Sequence, residues 1–242
     1  MRAIRRPFLL LLPSLLLASA LVPAAAAALP APLDGDWVSY RDAYRAMVVF
    51  EKYGKPKSLL QHQIQVLPRD KIAPGEPLRL ILNGQDSQLN LPLDPTGRTV
   101  FPLLKAAYDE NAALMLSRKL GPFKLRARVS LVVRPDGIYD LGELRAACEQ
   151  ALDYARYLDA TYAKRACVGV RFAYAKNGAA PVLVVKRAQQ AESTELRVGE
   201  GAIFNDDGDD GFKIVNLRFG AHAARAQVTT QDAPLAIVPL FE

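Results

Sequence analysis

Four aspartates stand within five positions of this 242-residue chain, in Asn205-Asp206-Asp207-Gly208-Asp209-Asp210-Gly211. Carboxylate oxygens crowded into one turn are the hard ligands that calcium takes. Asp206, Asp207, Asp209 and Asp210 are therefore the candidate metal site. The spacing of a calcium-hand loop fails, however. Counted from Asp206, the third place is Gly208 and the twelfth is Leu217, where a bidentate Glu belongs. The competing reading is a solvated hairpin tip between two strands.

Other chemistry is sparsely provided for. A serine nucleophile needs a base beside it. Ser39, Ser58, Ser87, Ser117, Ser130 and Ser193 lie outside any G-x-S-x-G, and the bases on offer are His62 and His222. His62 sits in an alternating run and reads as a packing or edge residue; His222 reads as a loop or strand end. Two histidines without H-E-x-x-H argue against a zinc hydrolase. Glycoside hydrolysis asks only for two carboxylates. Asp94, Asp109, Glu110, Asp136 and Glu143 qualify by type, although acids in turns commonly serve solvation. No glycine loop of the phosphate-cradling kind occurs. No catalytic residue can be assigned, and no catalytic metal or organic cofactor is expected.

Two cysteines, Cys148 and Cys167, stand nineteen positions apart. In an oxidising compartment such a pair reads first as a disulfide, the alternative being two buried thiols. Chain geometry permits the bridge. A helix continued to Tyr162 advances about 21 Å beyond Cys148 at 1.5 Å per residue. Five extended residues return about 16 Å. The gap of about 5 Å is close to the usual Cα separation across a disulfide, about 5.5 Å. A helix ending near Leu158 would make it easy.

These residues need elements to hold them. Tyr40, Ala43, Tyr44, Met47 and Phe50 mark one helical face between Tyr40 and Tyr53, with Gly54 as its stop. Leu60, His62, Ile64 and Val66 alternate with Gln61, Gln63 and Gln65, a strand period. Further strand patterns run over 78–82, 89–93, 99–103, 112–116 and 123–134, with a turn at Asp94-Pro95-Thr96-Gly97. The period then changes: Leu144, Cys148, Ala151, Ala155, Leu158 and Tyr162 predict a helix over 142–161. Strands return over 167–174, 182–186, 195–204, 212–219, 225–230 and 235–238. About ten strands and two helices predict an α+β fold, mostly β. Its form is an antiparallel sandwich or partial barrel with one long helix packed on it. One domain over 29–242 is expected, with a subdomain boundary near 134–142 as the alternative.

The N-terminus reads as a leader. Arg2, Arg5 and Arg6 precede an apolar run from Phe8 to Val22, and small residues follow at Ala24 to Ala28. The run is too short and too proline-broken for a lasting membrane span. Cleavage near Ala28 would deliver a periplasmic or secreted protein with no transmembrane segment. Arg5-Arg6-Pro7-Phe8-Leu9 also resembles a twin-arginine signal, so the export route stays open between that and general secretion. Removing the three arginines halves the formal charge of +6. No block of Lys or Arg interleaved with aromatics remains, so nucleic acid is not an expected partner.

Four segments carry a loose resemblance to known sequences. They are Leu91-Pro-Leu-Asp-Pro-Thr-Gly-Arg-Thr-Val-Phe-Pro, Asp109-Glu-Asn-Ala with Ser117-Arg-Lys-Leu-Gly, and Asp140-Leu-Gly-Glu-Leu-Arg-Ala-Ala-Cys. They resemble uncharacterised exported bacterial proteins with a β-rich domain of unknown function. The resemblance implies export and a β-rich build, and no activity. The function expected is non-enzymatic binding or scaffolding in the cell envelope, with an envelope protein or a glycan as partner. The alternative is an envelope hydrolase using carboxylates on glycan or peptidoglycan. Acids converging in a cleft would favour the enzyme; an exposed sheet edge or apolar patch would favour the binder.

Overall fold

A computed structural model describes residues 33–69, 77–186, 193–208, 211–221 and 225–242. The leader, Asp209, Asp210 and His222 lie outside the described residues. The first half begins with β1 (Leu33–Gly35) and β2 (Trp37–Ser39), followed by α1 (Tyr40–Lys52), which buries Tyr40, Ala43, Met47 and Phe50. Asp42 in the first turn and Lys52 in the last suit the helix dipole. The helix stops when Tyr53 turns extended, not through a left-handed Gly54. There follow β3 (Leu60–Pro68), β4 (Arg79–Asn83), β5 (Gln88–Pro92), β6 (Arg98–Thr99), α2 (Lys105–Asp109), β7 (Ala113–Leu116) and β8 (Phe123–Leu131).

The second half has β9 (Ile138–Asp140), α3 (Leu141–Leu158), β10 (Cys167–Tyr174), β11 (Leu183–Lys186), β12 (Ser193–Glu195) and β13 (Val198–Gly201). Last come β14 (Phe212–Arg218), β15 (Gln227–Thr230) and β16 (Ala236–Phe241). The fold is α+β and mostly β, its sheets antiparallel, and no barrel closes among the described residues.

One large sheet runs β13-β14-β10-β16-β8-β3-β6, with β1 on β8. Its two halves meet where β16 lies against β8, in a register of a single pair, Ile237 with Leu131. Alternation sorts its faces. Ile64, Val66, Leu125, Val170, Phe172 and Ile237 point to the face that α1 and α3 cover. Gln61, Gln65, Arg98, Arg126, Arg128 and Ser130 occupy the other face. A second sheet, β2-β7-β4-β5, closes the first-half core with Val38, Leu80, Leu82 and Leu114. A third, β12-β11-β15-β9, supplies Tyr139, Leu183, Val185 and Val228 to the core around α3.

The cysteine pair is bonded, with Cα atoms 6.0 Å apart. The helix ends at Leu158, short of Tyr162, and a 3₁₀ turn over Ala160–Lys164 brings the chain back. The bridge therefore closes without strain on chain length.

Candidate functional site

The densest gathering of charge lies on the polar face, beside the seam between β8 and β16. Asp94 organises the turn before β6. Its Oδ1 accepts from the backbone N–H groups of Thr96 and Arg98, at 2.8 and 2.9 Å. Gly97 takes φ 76°, which favours glycine because a Cβ there would meet the Val66 carbonyl at 2.7 Å. The turn aims Arg98 inward, where only 1% of it is exposed. Its guanidinium donates to Thr96 Oγ1 at 2.6 Å, to Asp94 Oδ2 at 3.1 Å and across the seam to the Leu235 carbonyl at 2.6 Å. Burial pulls the Arg98 pKa down, and Asp94 opposes the shift.

Arg128 lies next to it. Its Nε donates to Gln65 Oε1 at 2.6 Å, and Gln65 in turn donates to the Thr96 carbonyl at 3.2 Å. Its two terminal nitrogens reach Asp206 Oδ1, at 2.6 Å, and Asp207 Oδ1. Arg126 donates to Asp206 Oδ2 at 3.1 Å. The Phe204 ring lies 4.4 Å from the Arg128 guanidinium carbon and 5.8 Å from that of Arg98. A planar guanidinium can hydrogen-bond at its edge and present its face to a ring. The Asp207 side chain is only 7% exposed, and desolvation raises its carboxyl pKa against the opposing pull of Arg128.

Two of the four candidate calcium ligands are thereby located. Asp206 and Asp207 spend oxygens on arginines of β8, so this part of the loop is folded back over the sheet and is not a freely solvated tip. Among the described residues, no group of three His, Cys, Asp or Glu side chains gathers as a metal site would. Sequence reading missed this pairing; the signal that could have found it is Arg126 and Arg128 on alternate positions of a strand whose other face is apolar.

The remaining acids are scattered. Asp109 pairs with exposed Lys105. Glu110 Oε2 accepts from the backbone of Gln85 and Asp86, at 2.8 and 3.1 Å, which pins the β4–β5 turn. A Cβ on Gly84 would stand 2.1 Å from the same carboxylate, so glycine lets the acid approach. Asp136 and Glu143 are the two that come together, at 3.4 and 2.9 Å on the Arg134 guanidinium. The Ile138 N–H and Arg134 hold Asp136 below the usual carboxylate range. A general acid needs the opposite shift.

His62 packs where the alternation puts it, stacked on Phe50 at 4.6 Å between centroids. Burial, with Lys57 adding to it, lowers its pKa to about 4 from 6.5. Below pH 6.5 the unfolded chain takes up a proton that the folded ring refuses, so stability falls as pH drops toward 4. After allowance for the ring's residual exposure, the loss is about 2 kcal/mol. His62→Phe keeps the stack and should remove this component. Urea unfolding of both proteins between pH 7 and 4 checks it; parallel profiles would show that His62 does not carry the effect.

An uncharged surface of a different kind lies on the outward face of the β2-β7-β4-β5 sheet. Register places Trp37 beside Met115, Met115 beside Ile81 and Ile81 beside Asn90, one row across four strands. Trp37 is 57% exposed; Met115 and Ile81 are half-buried and belong to no core cluster. The next row is Ser39, Ala113, Asn83 and Gln88. Asn83, Gln88 and Asn90 are exposed and help line a recess of about 210 Å³. Ser39 Oγ donates to Asn111 Oδ1 at 2.6 Å. Sequence reading missed this face because its apolar members lie on separate strands.

No family model, curated protein or solved structure matches the chain, so the resemblance to exported β-rich proteins adds nothing to what the geometry supports.

Proposed function

We propose that the protein is exported to the cell envelope and works there by binding, through the outward face of the β2-β7-β4-β5 sheet. The observation that carries this is the row Trp37–Met115–Ile81, an apolar ridge left open on an otherwise polar face. Solitary surface apolar residues need no explanation, but a contiguous row rimmed by amides fits a recognition surface. The charged cluster beside the seam fits a supporting role. Its arginines and aspartates neutralise one another at close range, leaving little free acid–base capacity.

Export is supported by the leader-like N-terminus and agrees with the Cys148–Cys167 bond, which persists in oxidising compartments. No helix among the described residues is long and apolar enough to cross a membrane.

Two measurements test the proposal. Protein recovered from the envelope fraction should begin at or near Leu29; an intact Met1 on cytoplasmic protein would overturn export. Co-sedimentation with isolated envelopes should drop for Trp37→Ala, and an unchanged fraction would overturn the assignment of the face.

A further inference from the structure

The identity of the ligand follows from which groups the open face offers. We infer that it binds a neutral glycan, with Trp37 stacking on a sugar ring while Asn83, Gln88 and Asn90 hydrogen-bond the hydroxyls of neighbouring units. The inference rests on the binding reading above and narrows it to a ligand class.

Charge comes first. The two rows that include Trp37 and the amides hold no Asp, Glu, Lys or Arg; Arg79 stands one row further out, beside Pro92. An anionic ligand would call for guanidinium or ammonium donors at its centre. A cationic one would call for carboxylates. This centre complements a ligand without formal charge.

Side-chain chemistry comes second. Each amide offers two donors on nitrogen and a carbonyl acceptor, so it can meet a hydroxyl in either sense. Three exposed amides within one hairpin suit a ligand that presents a hydroxyl at most carbons. Sugar rings also carry faces made of C–H groups, and an exposed indole is a broad apolar plate on which such a face can lie. A protein partner would favour an apolar centre rich in aromatics, Met and Arg. Here the apolar part, Trp37, Met115 and Ile81, is one residue wide, no Arg stands in the two rows, and the adjoining row of Ser39, Ala113, Asn83 and Gln88 is mostly polar.

Shape comes third. The row spans three inter-strand spacings, about 14 Å from Trp37 to Asn90 at roughly 4.8 Å each. The recess lies at the far end, lined by Ile81, Leu82, Asn83, Gln88, Leu89 and Asn90. A plate at one end and an amide-lined recess at the other fit an elongated ligand with repeating units. They do not fit a single monosaccharide.

Trp37 is the only tryptophan, so emission excited selectively from tryptophan reports on this face alone. The probes are oligomers of N-acetylglucosamine and of glucose, with oligogalacturonate as the anionic comparison. A neutral oligomer should give a saturable change in Trp37 emission, insensitive to added salt. Calorimetry should show affinity lost roughly tenfold or more in Trp37→Ala, partly restored in Trp37→Phe, and reduced severalfold in Asn90→Ala. Circular dichroism confirms that the variants fold. No saturable response to any neutral oligomer, or tighter salt-dependent binding of oligogalacturonate, would overturn the glycan assignment. If the first result came with envelope co-sedimentation that still depended on Trp37, the glycan assignment would fall and the binding face would stand. Co-sedimentation indifferent to Trp37 would remove both.

Discussion

Asp207→Ala should lower the unfolding free energy by about 3 kcal/mol. The Asp207 and Arg128 side chains are buried partners, and their mutual attraction offsets part of the cost of taking each from water. Removing the carboxylate leaves the Arg128 guanidinium with Asp206, whose side chain is 60% exposed, and with Gln65. An uncompensated buried charge costs on the order of 3–5 kcal/mol, and the surviving Asp206 contact places this case at the lower end. Arg128→Met should cost a similar amount, since it leaves Asp207 with Arg126 at 3.7 Å and the Gln65 side chain in place of a close, buried guanidinium. The double variant Arg128→Met with Asp207→Leu should lose much less than the two singles together, because it leaves neither charge buried alone. Urea unfolding at pH 7 measures all three. Singles within about 0.5 kcal/mol of the parent, the range of ordinary surface changes, would show that the cluster is not the clamp its geometry describes.

Replacing both cysteines with Ala should lower stability by about 3 kcal/mol, from the closure entropy of a loop of about nineteen residues in the unfolded chain. The Cys148 sulfur is fully buried and packs with α3 against β10, so some of the loss reflects contacts as well as entropy. The rest of the core persists, and the variant should still unfold in one cooperative step. Mass spectrometry without reductant should find the bridge in the parent. Free thiols there, or equal stability of parent and variant in the absence of reductant, would refute the prediction.

Local pattern carried much of the fold into view. The helical spacing from Tyr40 to Phe50, the alternation from Leu60 to Val66 and the change of period at Leu144 are each written in neighbouring residues. So is the Asp94–Gly97 turn. The acidic loop is different. Whether Asp206 and Asp207 meet water or arginine depends on a loop between β13 and β14 folding over β8, some eighty positions earlier in the chain. The open sheet face was hidden for a related reason. Leu80, Ile81 and Leu82 form a continuous apolar run, which reads equally as a strand buried on both sides. Only the sheet order shows that Leu80 and Leu82 meet the core while Ile81 joins Trp37 and Met115 outside. The brief strands β1, β6 and β12 have two or three residues each, too few to show a period.

The place of β16 bears on the order in which the molecule can be made. Translation delivers Ala236–Phe241 after every other strand of the large sheet, yet the strand lies between β10 and β8. Until it emerges, a growing chain holds two partial sheets with facing, unfilled edges, and Arg98 lacks the Leu235 carbonyl it is aimed at. Assembly of the two halves is therefore a late event that waits on β16.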